Sequence, residues 1–184
     1  MTIVKQPINN NTVITWEMAA YSSAEELYSS IDAYAKNELY TLRYAIDHYI
    51  NSRFYLDVDG TNKLAEHKYL WALLSSGAFD IARQFDIAYL LSKSEILNTV
   101  INKQKDYGHK NIARFGITGL VIRVHDKVAR IENLMAKEKY HNSVADETLL
   151  DTLMDIIGYS IIAFMWLNNT FMYELEGHYE KTIT

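Results

Sequence analysis

The sequence contains no cysteine and one proline, and glycine is sparse at seven residues in 184. Without cysteine, disulfides, thiolate zinc sites and thiol catalysis are excluded together, and a reducing compartment fits. So few helix breakers in a chain that is 49% hydrophobic favour a mostly helical protein. No phosphate loop ending in Gly-Lys-Ser/Thr is present, and no dinucleotide fingerprint. Met1 to Asn11 lack the basic-then-apolar pattern of a leader, so a cytoplasmic protein is expected. The uncharged run Ile156 to Leu167 has twelve residues, short of the roughly twenty a membrane span requires. It reads instead as a helix buried on most sides or at a subunit contact, and no membrane partner is expected.

The net charge of −5 argues against general nucleic-acid binding. The charge is uneven, however. Lys103 to Arg130 holds seven bases (Lys103, Lys105, Lys110, Arg114, Arg123, Lys127, Arg130) against Asp106 and Asp126, while the remainder has eleven bases and twenty-one acids. A local basic patch in an acidic chain suits a small phosphorylated ligand better than a long polyanion, and no sequence-specific nucleic acid is expected.

The chain length suits one domain, divisible at most into an N-terminal arm and helical extension over 1–80 and a helical core over 81–184. Residues 1–15 read as an irregular or short extended arm, with Asn9 to Asn11 as a turn. A helix is expected from Ser22 or Ser23 to about Arg53, with Leu27, Ile31, Tyr34, Leu42, Ala45, Ile46 and Tyr49 on its apolar side. Asp57-Val-Asp59-Gly60 resembles part of a calcium loop, but neither register completes it, and a helix connection is the better reading. A second helix should cover Lys63 to Ser75 and break near Gly77. A third should run from Phe79 to Asp106, interrupted at Ser92 to Ser94, bury Phe85, Ala88, Tyr89, Ile96, Val100 and Ile101, and end at Gly108. Residues 109–119 read as a basic loop. Val121, Val124, Val128, Ile131 and Met135 form one helical stripe, which decides for a helix over 120–135 rather than a strand. Arg123, Asp126, Lys127 and Arg130 lie off that stripe. A short connection around Tyr140 to Asn142 predicts antiparallel packing against the next helix.

That helix should span 143–176, capped by Ser143 or Asp146. Leu149, Leu153, Ile156, Ile157 and Ser160 share one side; Glu147, Asp151 and Asp155 form a strip on another. Acids in a first turn complement the helix dipole, but the effect fades before Asp155. Like charges at this spacing repel, so the strip either tolerates that cost or holds a cation, whether a divalent metal or bases from a neighbouring helix. An interhelical salt-bridge network of Asp126, Arg130, Asp151 and Asp155 explains the same residues without a ligand.

Three blocks then carry a resemblance: Lys105-Asp-Tyr107-Gly108; Gly119-Leu-Val-Ile-Arg123-Val-His-Asp126-Lys127-Val-Ala-Arg130; and Glu147-x3-Asp151-Thr-x2-Asp155-x3-Tyr159. In that order they resemble the nucleotide modification-associated helical domain family common in bacteriophages, over roughly residues 95–165. That family is itself similar to MazG-type all-α nucleoside triphosphate pyrophosphohydrolases, which use Mg²⁺ on helix-borne acids and are usually dimers or tetramers. The resemblance implies an all-α bundle of four to six helices with a MazG-like core, in a phage-encoded homo-oligomer that processes a nucleoside triphosphate. It implies Mg²⁺ on Asp151 and Asp155 with Glu147, and Asp126 beside them as a further catalytic candidate. It places phosphates on Lys105, Lys110, Arg123, Lys127 and Arg130, with Tyr107 stacking on a base. The sequence departs from MazG in having Asp126 among bases instead of a first Glu-x2-Glu pair, and Glu147-x3-Asp151 instead of Glu-x2-Asp.

Three alternatives stay open. With fewer acids and more bases, the site would bind or sequester a nucleotide, or serve DNA-modifying enzymes, without cleaving. His125-Asp126-Lys127, with His109 or His67 upstream, looks superficially like the centre of helical HD phosphohydrolases. A structural helical oligomer would bind no nucleotide. His48, His141 and His178 read as surface or helix-end residues, and Gly116-Ile-Thr-Gly119 as a weak nucleic-acid signal.

Overall fold

The computed structural model describes residues 7–8, 12–35, 68–135 and 143–176. Their fold is all-α, with one two-residue-per-strand hairpin. Strands β1 (Pro7–Ile8) and β2 (Thr12–Val13) pair antiparallel, Pro7 opposite Val13. The helices are α1 (Trp16–Ala35), α2 (Lys68–Gln84), α3 (Lys93–Tyr107), α4 (Lys110–Ala113), α5 (Gly116–Met135) and α6 (Ser143–Leu167).

Helix α6 is the centre of the bundle, with α1, α2, α3 and α5 packed around it. Leu149, Leu153, Ile156, Ile157, Ile161 and Phe164 are fully buried, each burial contributing roughly 1.5–3 kcal/mol. Ser160 sits among them because its hydroxyl donates to the Ile156 carbonyl at 2.9 Å. Leu149–Leu167 is long and apolar enough to cross a membrane by length and composition, but 67% of that stretch is buried inside the fold. Gly116 lies against Trp166, near the far end of α6, and Lys127 reaches Asp155. Helices α5 and α6 are therefore antiparallel, as the short connection predicts.

Several boundaries differ from expectation. Helix α1 begins at Trp16, six residues before Ser22, because Thr15 Oγ1 accepts from the Met18 amide at 3.4 Å and caps it. Helix α2 passes through Gly77 unbroken; Gly77 is buried, and the stop comes at Asp86, whose φ of 56° is left-handed. A 3₁₀ turn (Ala88–Leu90) follows, turning Tyr89 outward to 77% exposure and leaving Phe85 and Ala88 half-buried. Ser92 is no mid-helix interruption but the cap of α3, accepting from the Glu95 amide at 3.3 Å. Gly108 ends α3 as expected, with φ 64°.

Residues 109–119 are helical rather than a loop: α4 takes the first turn and α5 starts at Gly116. A Cβ on Gly116 would lie 2.7 Å from the Trp166 ring, and φ there is 55°, so this glycine permits the close approach of the two helices. Helix α6 stops at Leu167, where Asn169 takes φ 58°, instead of continuing to 176. Residues 168–176 fold back on α1. The Trp16 amide donates to the Glu174 carbonyl at 2.8 Å, and the Glu176 amide to the Glu17 carboxylate at 3.0 Å.

One continuous core joins residues from Trp16 to Leu175, and the expected division at residue 80 falls inside α2. Of the apolar side expected for the first helix, Leu27 and Ile31 are buried. Tyr34 onward, the Asp57–Asn62 stretch, the Asn9–Asn11 turn, the Tyr140–Asn142 connection, and His48, His67, His141 and His178 lie outside the residues described with their side chains.

Candidate functional site

The chemistry gathers where α3, α5 and α6 meet. Each helix buries its apolar stripe in the bundle and turns the edge of that stripe toward the same cleft. On α5, Leu120, Val124, Val128 and Ile131 are buried, which sets Arg123, Lys127 and Arg130 at the margin. On α6, Asp155 directly precedes the buried pair Ile156 and Ile157. On α3, Val100 and Ile101 are buried, and Lys103, Gln104 and Tyr107 follow within two turns.

Asp155 is shared between two lysines. Its Oδ1 accepts from Lys103 Nζ at 2.8 Å and its Oδ2 lies 2.7 Å from Lys127 Nζ. The carboxylate is 20% exposed and Lys127 23%, whereas Lys103 reaches solvent at 55%. Burial alone would raise the Asp155 carboxyl, but hydrogen bonds from Lys103 and Lys127 outweigh it and hold the group below the ordinary carboxylate value. Burial likewise pushes Lys103 down, and the Asp155 partner more than restores it, leaving its ammonium above the usual lysine value. Arg123 Nη2 donates to Asn111 Oδ1 at 2.8 Å, which fixes the guanidinium at the rim.

Beneath these charges is a pocket of about 330 Å³. Ile96, Val100, Ile112, Met154 and Ile162 supply its apolar wall, and Lys103, Arg123, Asp155 and Tyr159 its polar mouth. Gly158 also lines it; a Cβ there would stand 3.0 Å from Val100 Cγ2, so α3 and α6 are as close as they can come. A second, more open recess is lined by Arg123, Asp126, Lys127, Arg130 and Tyr159. Arg123 and Tyr159 belong to both, so the two form one continuous cleft. Four cations face two carboxylates across it, and the surplus is positive.

Of the sequence-predicted residues, Asp155, Arg123, Lys127, Arg130, Asp126 and Tyr107 come together here. Tyr107 is 65% exposed at the pocket edge. Lys105 does not join them: α3 carries it to the other side, 3.8 Å from Glu17. Lys110 is exposed and lines neither recess, as is Asp151. The Glu147 side chain lies outside the described residues. Lys103 and Gln104 are site residues that the motif blocks pass over, although Lys103 lies in the basic segment. Helical spacing could have found Lys103, because it stands four residues before Tyr107 and shares its face.

Among the described residues, no three His, Asp or Glu side chains come together to hold a metal ion. Both Asp155 oxygens face ammonium groups and Asp151 is turned to solvent. Among the described residues these two carboxylates alone make no Mg²⁺ site; Glu147 and His67, also expected as ligands, lie outside the residues described with their side chains. His109 is turned elsewhere, with Nε2 2.8 Å from the Tyr173 carbonyl.

Residues 103–167 match the family described as nucleotide modification associated domain 1. The match begins at Lys103 and ends with α6, so it contains every charged residue of the cleft. No curated protein and no solved structure matches the chain, and none of these comparisons shows the further likeness expected to MazG-type pyrophosphohydrolases.

Proposed function

We propose that this protein binds the phosphate groups of a nucleotide across α3, α5 and α6, as part of a nucleotide-modification process. One observation carries the reading: a single half-buried carboxylate is divided between two lysines at the mouth of a pocket, with two arginines alongside. Two acids, Asp155 and Asp126, cannot neutralise four bases. Asp155 holds Lys103 and Lys127 in place, and the remaining charge is available to an anion. Arg123 and Arg130 offer planar donor forks suited to phosphate oxygens, with the lysines as point charges beside them. The description of the matched family supports a nucleotide as the source of that phosphate.

Binding without cleavage is the favoured form. A carboxylate held below its ordinary pKa by two ammonium groups is a weak general base at neutral pH. Any Mg²⁺ would then arrive with the nucleotide rather than wait on α6.

The Asp155→Asn variant separates this from a metal site. Isothermal titration with ATP, with and without Mg²⁺, should show saturable binding to the natural protein. The variant should bind as tightly or several-fold tighter, since an acid that competes with phosphate is gone. Loss of binding in the variant, together with Mg²⁺-dependent pyrophosphate release by the natural protein, would assign Asp155 to a metal instead.

A further inference from the structure

We infer that the apolar pocket takes the base of a mononucleotide and that Gln104 reads its hydrogen-bonding edge. This rests on the phosphate reading above and extends it to the other end of the ligand. Gln104 is 4% exposed and lines the pocket, yet its Nε2 has no hydrogen-bond partner among the described residues. Among the described residues three other buried side-chain atoms lack a partner, on Trp16, Ser75 and His125, and none of those residues lines either recess. A buried amide left unpaired is costly, and native folds keep few of them. One that borders a cavity is satisfied when the cavity fills.

The ligand chemistry follows from the walls. Ile96, Val100, Ile112, Met154 and Ile162 offer a nonpolar slot, and the phenol rings of Tyr107 and Tyr159 stand at its edge as flat surfaces on which a base can stack. A volume of about 330 Å³ is at the small end for ligand pockets and suits one base rather than an oligonucleotide. A carboxamide carries a donor and an acceptor side by side, the complement of a nucleobase edge. Lys103 is adjacent to Gln104 in the chain and paired to Asp155, so a base at Gln104 places its phosphates toward the cations. Apolar surroundings with one hydrogen-bonding group discriminate strongly, because a wrong edge leaves that group unpaired.

The experiment is calorimetric titration of the natural protein and Gln104→Leu with inorganic tripolyphosphate and with the four ribonucleoside triphosphates. The natural protein should bind at least one nucleotide about tenfold or more tighter than tripolyphosphate, and should rank the four bases. Gln104→Leu should keep its tripolyphosphate affinity, lose that ranking, and unfold at the same or a higher temperature, since a buried unpaired amide has been removed. Gln104→Glu, which keeps the shape but only accepts, should demote the preferred base. Equal affinity for tripolyphosphate and all four nucleotides, or an unchanged ranking in both variants, would overturn the base pocket while leaving phosphate binding intact. Failure of every probe, tripolyphosphate included, would overturn both readings.

Discussion

Two groups of ion pairs on this molecule use the same residue types to opposite effect. On the outer side of α1, Glu26 pairs with Lys68 and Glu25 with Lys93, one acid to one base, with each partner at least 36% exposed. Glu26 also accepts from Asn168 at 3.1 Å, tying α1 to the turn after α6. Charge there is balanced, and neither recess touches it. In the cleft, one acid serves two bases, the acid is 20% exposed, and further cations line the adjoining pocket. The first arrangement fastens helices together and leaves nothing over. The second fastens helices and holds a positive surplus in a concave place, which is what recognition of an anion requires. Stoichiometry and burial, rather than the mere presence of salt bridges, separate the two.

The contrast can be broken most forcefully by removing the cations of the cleft. Replacing Lys103 and Lys127 together by Met strands a half-buried carboxylate and should cost about 2–3 kcal/mol of stability in urea denaturation, below the full buried-pair penalty because Asp155 keeps some water. Nucleotide binding should disappear in the same protein. The corresponding pair of changes on the outer side, Lys68→Met with Lys93→Met, should cost about 0–1 kcal/mol per pair and leave binding untouched. A comparable loss on both sides would erase the distinction.

A pH series sharpens it. The Asp155 carboxyl is held below its ordinary value of 3.8, so its contribution is complete above that value and lost as pH falls through the lower folded one. Lys103 is held above 10.5, so its share is present below that value and lost as pH rises past it. Between about pH 5 and 10 the pair should therefore contribute a constant amount. Asp155→Asn should flatten the acid limb of the stability curve measured by denaturation and leave the neutral plateau level.

Much of this architecture is legible in the sequence, and the failures have physical causes. The stripe from Val121 to Met135 and the set Leu149, Leu153, Ile156, Ile157 and Ser160 are long periodic patterns, and burial of Val124, Val128, Ile131 and the whole second set agrees with them. Gly77 misleads because glycine costs a helix only about 1 kcal/mol against alanine, and a buried, well-packed helix such as α2 absorbs that cost. Thr15 is overlooked as a cap because Ser22 and Ser23 offer a stronger local signal. In the site, Asp155 and the α5 bases are readable from charge at helical spacing. The strip of acids suggests a held cation, and Asp155 does hold cations, supplied by Lys103 and Lys127. Lys105 and Lys110 cannot be sorted from Lys103 by composition, because their faces depend on where α3 ends and α4 turns. Gln104 carries no motif signal, since its significance lies in a missing partner.

The fold-back after α6 bears on how the matched segment is used. Phe171 sits edge-on to both Trp16 and His109 and tilted against Trp166, so a single ring welds the first helix, the turn before α4 and the end of α6. Residues 103–167 thus form no detachable cassette. Cut free, they would lay bare the greasy side of α6 that α1 and α2 now shelter, and the walls of the cleft would lose their backing.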